Sequence, residues 1–417
     1  MLKRTALPAL VAFLCLAWLP LRVQAQTSDF GIDVPVTVSG GAMYSQRLQL
    51  SNPSASAEAA GFRAMAYPTL QLGPHWFGYA AVQVYYDPYF YYDAFSPEHK
   101  IDTDVIQAFV GYSFTTKKAS MVVKAGRLSS AFGSFPLHYD DAANPLLDQP
   151  LSYITRLTLR SDQLPCGTAD LLWQHYGYVS NSCGGETGAG PGMTPVTLYG
   201  LPAVEADVSA GRVDARLQLT SGSPVYPQPA AAAGKYLQWT AGAGYTIRQG
   251  FRVGVSGFRG PYLEQEVVPF LPAGTSVRDF PASAVGVDAQ WARGRWSLTG
   301  EVQRFQFTSP NFTVAPSITA SYIEIKSILT PRLYAAVRAG WLGSGRVVDT
   351  SGVAADHFAP LLQSYEVAGG FWVRRGQLLK GSYEWLHSEG TSGNRFNVLG
   401  LQYVFTFHGA NWAFHSI

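Results

Sequence analysis

The sequence predicts an all-β protein, a transmembrane, antiparallel, up-and-down barrel of about sixteen strands. Three observations predict it. Apolar and polar residues alternate along many short segments, the connections between segments alternate strictly between very short and long, and an export segment precedes them all.

The export segment comes first. Lys3 and Arg4 precede an apolar run from Ala6 to Leu19, and Val23-Gln24-Ala25 fits a small-residue cleavage site. The run is too short to span a bilayer, so residues 1–25 read as a signal peptide and 26–417 as a single barrel domain. Cys15 follows Leu14, whereas a lipoprotein site needs a small residue there, so no lipid anchor is expected. Without Lys3, Arg4 and Arg22 the chain carries 27 basic and 28 acidic side chains, a net charge of −1. No basic stripe is available for nucleic acid. Charged residues make up 14% of the chain against 47% apolar and 13% aromatic. Soluble domains carry about 25% charge, so something other than water touches much of this surface.

The strands follow. In 284–307, Val285, Val287, Ala289 and Trp291 alternate with Gly286, Asp288 and Gln290. Past a turn at Ala292–Arg295, Trp296, Leu298, Gly300 and Val302 alternate with Ser297, Thr299, Glu301 and Gln303. Period two means strand, and two such runs around a tight turn mean a hairpin. Comparable segments lie at 33–49, 61–72, 76–87, 104–115, 119–128, 203–210, 212–220, 236–247, 251–259, 318–328, 332–342, 364–374, 378–387 and 395–407. With the hairpin's own pair, 284–292 and 295–306, they make sixteen.

The connections sort into two kinds. "LGPHW", "TTKKA", "SAGR", "RQG", "ARGR", "LTPR" and "RRGQ" are short, while 50–60, 88–103, 129–202, 221–235, 260–283, 307–317, 343–363 and 388–394 are long. Short turns at one end and long loops at the other distinguish a barrel from a water-soluble sandwich, whose loop lengths do not alternate. Trp76, Phe114, Phe251, Trp291 and Trp296 flank the short turns, where an interfacial girdle belongs. The apolar stripe then faces lipid and the polar one a water-filled lumen, since sixteen strands leave a channel. Leu399, Leu401, Tyr403, Phe405 and Phe407 form the last strand's outer stripe. That stripe resembles the signal read by the barrel-assembly machinery, although "HGANWAFHSI" continues beyond it.

The longest connection, 129–202, follows the fifth strand, as it does in sixteen-stranded porins whose loop folds inward to narrow the pore. Locally, "VVKAGRLSSAFGSF" (122–135) resembles the entry to that loop in the phosphate-selective porin family. The resemblance implies an outer-membrane porin of a Gram-negative-type bacterium, passing small hydrophilic solutes or ions with no cofactor, and a homotrimer in outer-membrane lipid. It implies that Lys124 and Arg127 sit where the wall meets the constriction. Parity adds Arg216, Asp288, Glu301, Glu324, Arg338, Glu366 and Lys380 as pore-lining candidates. The loop carries Arg156 and Arg160 against Asp140, Asp141, Asp148, Asp162, Asp170 and Glu186. That acidic excess departs from an anion-selective family and predicts weak cation preference instead.

Cys166 and Cys183 share the long loop and predict a disulfide, since no Cys or His stands beside them at ligand spacing. The run "YYDPYFYYD" (85–93) reads as an interfacial belt with loop packing, ahead of a sugar-stacking rim. "GAGYTIRQG" (242–250) lacks the following helix that a phosphate cradle needs. No G-x-S-x-G, H-E-x-x-H, C-x-x-C or P-loop occurs, so no enzyme is expected. The alternative is a barrel with an occluded lumen that acts as an adhesin or surface enzyme.

Overall fold

The computed structural model describes residues 30–45, 57–87, 100–157, 159–174, 183–185, 192–197, 200–221, 237–359, 361–389 and 395–414. The expected signal peptide, residues 88–93 of the aromatic run, and parts of several long connections lie outside them.

One antiparallel sheet closes on itself. Its wall strands are β1 (Phe30–Tyr44), β2 (Glu58–Ala66 continued by Thr69–Leu72), β3 (Trp76–Asp87), β4 (Lys100–Thr115) and β5 (Ala119–Leu128). After the long loop come β6 (Leu201–Ala210), β7 (Val213–Ser221), β8 (Leu237–Arg248), β9 (Phe251–Pro261), β10 (Pro281–Arg293) and β11 (Trp296–Phe307). The circuit ends with β12 (Ser317–Thr330), β13 (Leu333–Ser344), β14 (Leu362–Arg374), β15 (Gln377–Ser388) and β16 (Arg395–Phe414). Each strand pairs with its sequence neighbours, and β1 pairs with β16 from Phe30↔Phe414 to Tyr44↔Leu399. The sixteen-stranded barrel is closed, as the alternation of loop lengths predicts.

The strand ends differ from the sequence reading where local chemistry intervenes. β2 breaks at Tyr67-Pro68, because proline has no N–H to give the ladder. Its neighbours compensate: Tyr67 N–H donates to Pro35 O and Ala80 N–H donates to Pro68 O. β16 runs on to Phe414, past the expected end at 407, because β1 begins at Phe30 and supplies partners that far. Gly211 and Gly294 open two-residue turns at φ 61° and 60°, a backbone that side chains with a Cβ adopt at a cost.

The two faces separate as the alternation requires. Val285, Val287 and Val302 are 64%, 60% and 58% exposed on the outer face, whereas Asp288, Glu301 and Gln303 are buried within. Trp76, Phe114 and Trp296 stand exposed beside the short turns, with Trp76 packed edge-on against Tyr112 at 5.0 Å between ring centres. Among the described residues no helix is long and apolar enough to cross a membrane.

Near the long-loop end, β9–β13 reverse this polarity. Phe258, Ala282, Phe305, Phe307, Ile318 and Leu342 point inward and are buried. Arg259, Arg304 and Gln306 occupy the exposed outer face. The inward aromatics join Phe132, Phe135, Leu151 and Tyr153 of the long loop in one apolar cluster. The expectation that water lines the whole inner wall is therefore corrected here, because loop side chains take the place of water.

Unheated in detergent, the folded protein should run compactly on a gel and shift on boiling, with a β-dominated circular dichroism spectrum. A helix-dominated spectrum would end the barrel assignment.

Candidate functional site

The candidate site is the inner wall together with the loop after β5. The loop is bound to inward-facing side chains along an ordered path. Gln218 on β7 donates to Ser129 O (2.8 Å) and accepts from Ala131 N–H (3.4 Å). Arg216 donates to Gly133 O at 2.5 Å, and Gly133 N–H donates to Ser256 on β9 at 3.1 Å.

Glu301 on β11 anchors the next stretch. Its Oε1 accepts from the Ser134 N–H and hydroxyl (2.6 Å each), the Phe135 N–H (2.8 Å) and the Tyr322 hydroxyl (3.2 Å). Its Oε2 accepts from the Tyr153 hydroxyl (2.8 Å) and the Gln303 amide (2.5 Å). Glu301 was expected to line water; it is 3% exposed and acts as a cradle for loop donors.

The chain then reaches the opposite wall. Asp141 pairs with Arg63 of β2 (Nη2–Oδ1 2.5 Å, Nε–Oδ2 3.1 Å) and accepts from Ser39 of β1. Asp140 accepts from the Tyr67 hydroxyl. Burial works against the Asp141 charge, but Arg63 and Lys380 outweigh it and hold the carboxyl below its ordinary range. Asp141 is thus a neutralised structural anion, and the expectation that it adds free negative charge to the constriction is corrected.

Residues 144–148 lie on β13–β15. Lys380 donates to the carbonyls of Asp141 (2.8 Å), Asn144 (3.2 Å) and Leu146 (3.1 Å), and it is 1% exposed. Arg338 donates to Asp148 O (2.7 Å), Asn144 Oδ1 (3.1 Å) and Glu324 Oε2 (2.7 Å). Glu366 accepts from Leu147 N–H at 2.9 Å, and Tyr334 donates to Pro145 O at 3.0 Å. Of the expected lining residues, Asp288, Glu301, Arg338, Glu366 and Lys380 are therefore covered.

Lys124 and Arg127 do not share a face. Three residues apart on one strand, they point to opposite sides. Lys124 bonds inward to Glu205 (2.8 Å) and Asp207 (2.5 Å), whereas Arg127 is exposed and pairs in register with Ala108 and Pro202 on the outer side. Arg127 is thereby corrected from a pore-lining candidate to an outer-face residue.

Solvated charge remains on β4–β9. Asp102, Asp104, Lys124, Asp207, Asp214, Arg216 and Arg252 all keep partial exposure. Arg252 bridges Asp214 (2.6 Å) and Asp288 (2.8 Å), so the charges form a ladder along one side of the lumen. Arg63 and Arg252 face inward as well, although neither stood among the expected lining residues, because the sequence around them is marked chiefly by its outward apolar stripe.

Farther along the loop, Cys166 and Cys183 form a disulfide, with Cα atoms 4.9 Å apart. The bonded segment is tied to other loops: Asn311 donates to Pro165 O (2.8 Å), and Thr168 donates through its N–H to Asp349 (3.2 Å). Arg160 pairs with Asp162 at 2.5 Å, and Arg156 is exposed.

The class that this fold and wall define is the closed, sixteen-stranded, antiparallel β-barrel. No protein-family model and no curated protein matches the sequence. Solved structures do match by fold. The outer membrane channel DcaP of Acinetobacter baumannii shares 11% identity at TM-score 0.53, covering 92% of this chain and 99% of that one. Salmonella typhi OmpF, solved with daunomycin, shares 9% at TM-score 0.52, covering 90% and 97%. OmpT of Vibrio cholerae shares 10% at TM-score 0.52, covering 92% and 100%.

Two outcomes follow. Mass spectrometry of a non-reduced digest should show the Cys166 and Cys183 peptides linked, a closure that stabilises by about 3 kcal/mol in the loop-entropy account; two freely alkylating thiols would rule the bond out. Glu301→Leu should loosen the loop, at roughly 1–3 kcal/mol per orphaned buried donor. Proteolysis of the loop in an intact barrel should then rise sharply for Glu301→Leu and less for Glu301→Gln.

Proposed function

We propose that the protein is an outer-membrane porin that passes small hydrophilic solutes or ions down their gradients, with no enzymatic step and no cofactor. The observation that carries this reading is the uneven lumen. Loop and apolar cluster cover the wall from β10 to β15, while β4–β9 keep a ladder of partly solvated charge. A solute path therefore runs to one side of the barrel axis, between that ladder and the loop.

Selectivity on this reading comes from radius and local charge. Asp102, Asp104, Glu205, Asp207 and Asp214 face Lys100, Lys124, Arg216 and Arg252 along the open wall. Glu205 is buried, so the partly exposed charges of the open wall balance at four each. The loop's Asp140, Asp162 and Asp170 exceed Arg156 and Arg160 by one, which supports weak cation preference and gives no support to phosphate selectivity. A homotrimer in outer-membrane lipid, folded by the barrel-assembly machinery, is the proposed assembly; an in-vitro folded OmpT structure is of a trimer form.

Recording in planar bilayers tests the reading. Stepwise conductance with weak cation preference is expected at about 0.1 M salt, fading near 1 M as the Debye length shrinks from about 10 Å to about 3 Å. Asp207→Asn with Asp214→Asn should move the cation-to-anion permeability ratio toward one. Deleting 136–196 should raise conductance; an electrically silent wild-type barrel would instead favour an adhesin or surface enzyme with an occluded lumen.

A further inference from the structure

A cavity of about 50 Å³ lies between the loop and the wall at β1 and β14–β16. Its lining includes Met43, Leu147, Asp148, Glu366, Glu384 and Gln402. Three of these carry carboxyl groups, and Asp148, Glu366 and Glu384 are only 6%, 3% and 4% exposed. Neither carboxyl oxygen of Asp148, nor Oε2 of Glu366, has a donor in hydrogen-bonding geometry.

The surrounding charges do not balance this cluster. From β13, Arg338 stands 3.7 Å from Glu366 Oε2 but is engaged with Glu324 and with loop oxygens. From β15, Lys380 is spent on three loop carbonyls. Arg63 and Asp141 on the β2 side pair with each other. The lining from β1 and β16 (Gly41, Ala42, Met43, Val398, Gly400, Leu401 and Gln402) brings no charge. Two engaged cations thus face Asp148, Glu366, Glu384 and Glu324.

Buried, unpaired carboxylates are costly enough that such groups take up protons instead. Burial first, and the Glu366 charge second, push the Asp148 carboxyl up to about 7. Asp148 and Glu384 line the same small cavity. Two ionised carboxylates are both acceptors, so a hydrogen bond between them needs a proton on one of them. Among the described residues no group of three His, Cys, Asp or Glu side chains is arranged to hold a metal ion.

We propose that the 144–149 turn is seated on the wall by an Asp148–Glu384 carboxyl pair sharing a proton, which makes the loop's hold on the wall sensitive to pH. The sign follows from linkage. An unseated, hydrated Asp148 would hold its proton only below about pH 4. The seated form binds the proton up to about pH 7, so seating is fully supported in acid. It weakens as pH rises through that window, and above it ionised Asp148 faces Glu366 and Glu384 directly. The proposal rests on loop–wall contacts, and on the porin reading only for its effect on current.

Hydrogen–deuterium exchange of segment 140–150 in the intact, folded barrel tests it, after correction for the intrinsic pH dependence of exchange. Protection in the wild type should fall about ten-fold or more between about pH 5 and pH 8. Asp148→Asn should stay protected across that range, and Glu384→Gln provides a second reading should the first variant misfold. A flat wild-type profile, or the same fall persisting in both variants, would overturn the proposal. So would protection at pH 8 that millimolar Ca²⁺ restores and a chelator removes, because a metal would then be doing the neutralising. A barrel that is electrically silent yet shows the expected exchange pattern would sink the porin reading and leave the pair intact.

Discussion

Every other feature depends on closure of the sheet. In a bilayer, which offers no water to an unpaired strand, the first strand would have to find the last. The β1–β16 seam does this over the whole of β1 and over β16 from Leu399 to Phe414, and Val34/Pro35 sets the one irregularity in its register. Once the ring is closed with sixteen strands, it encloses more space than the wall's own side chains can fill. That space must hold either water or chain. This protein uses both, on opposite sides of the same lumen.

The chain that enters is held by complementary chemistry. Where the loop presents N–H and O–H groups, the wall presents Glu301; where it presents carbonyls, the wall presents Lys380 and Arg338. Where it presents a carboxylate, at Asp141, the wall presents Arg63. These are charge-assisted bonds in a dry setting, roughly twice as strong as neutral ones. Apolar contact adds to them: Phe132 packs edge-on against Phe258 with ring centres 5.1 Å apart, and Phe135 lies 5.1 Å from Tyr153. The loop is therefore fixed at both polar and apolar points, as a constriction element has to be if it is to define a radius.

Much of this was legible in the sequence, and the reason is periodicity. Val285-Gly286-Val287-Asp288 determines its own facing, and the short turns at Gly211 and Gly294 determine which strands adjoin. Partnership across the lumen has no such local signal. Glu301 and Asp288 look alike as inward carboxylates, yet one receives six donors and the other pairs with Arg252. The resemblance of 122–135 to a porin loop entry places Arg127 with Lys124, whereas their odd spacing on one strand puts them on opposite faces. One missed feature did leave a trace. In Val302-Gln303-Arg304-Phe305-Gln306-Phe307 the apolar residues change parity midway, which marks where the outside turns wet and the inside dry.

That change of parity explains how one barrel can carry charge for two purposes. Below it, at Lys124, Asp207, Asp214 and Arg252, paired charges keep access to solvent, and their field acts on whatever passes. At the level of the loop, Arg63, Asp141, Arg338 and Lys380 are buried and bound to the loop, and their field is spent on holding it. A count of inward-facing charges merges the two groups and predicts selectivity from residues that no solute meets. On the porin reading, separating them by burial leaves only the open side of the wall to discriminate between ions. The buried set would then govern how wide that opening is. Radius and charge selectivity would thus be encoded by different residues of one closed sheet.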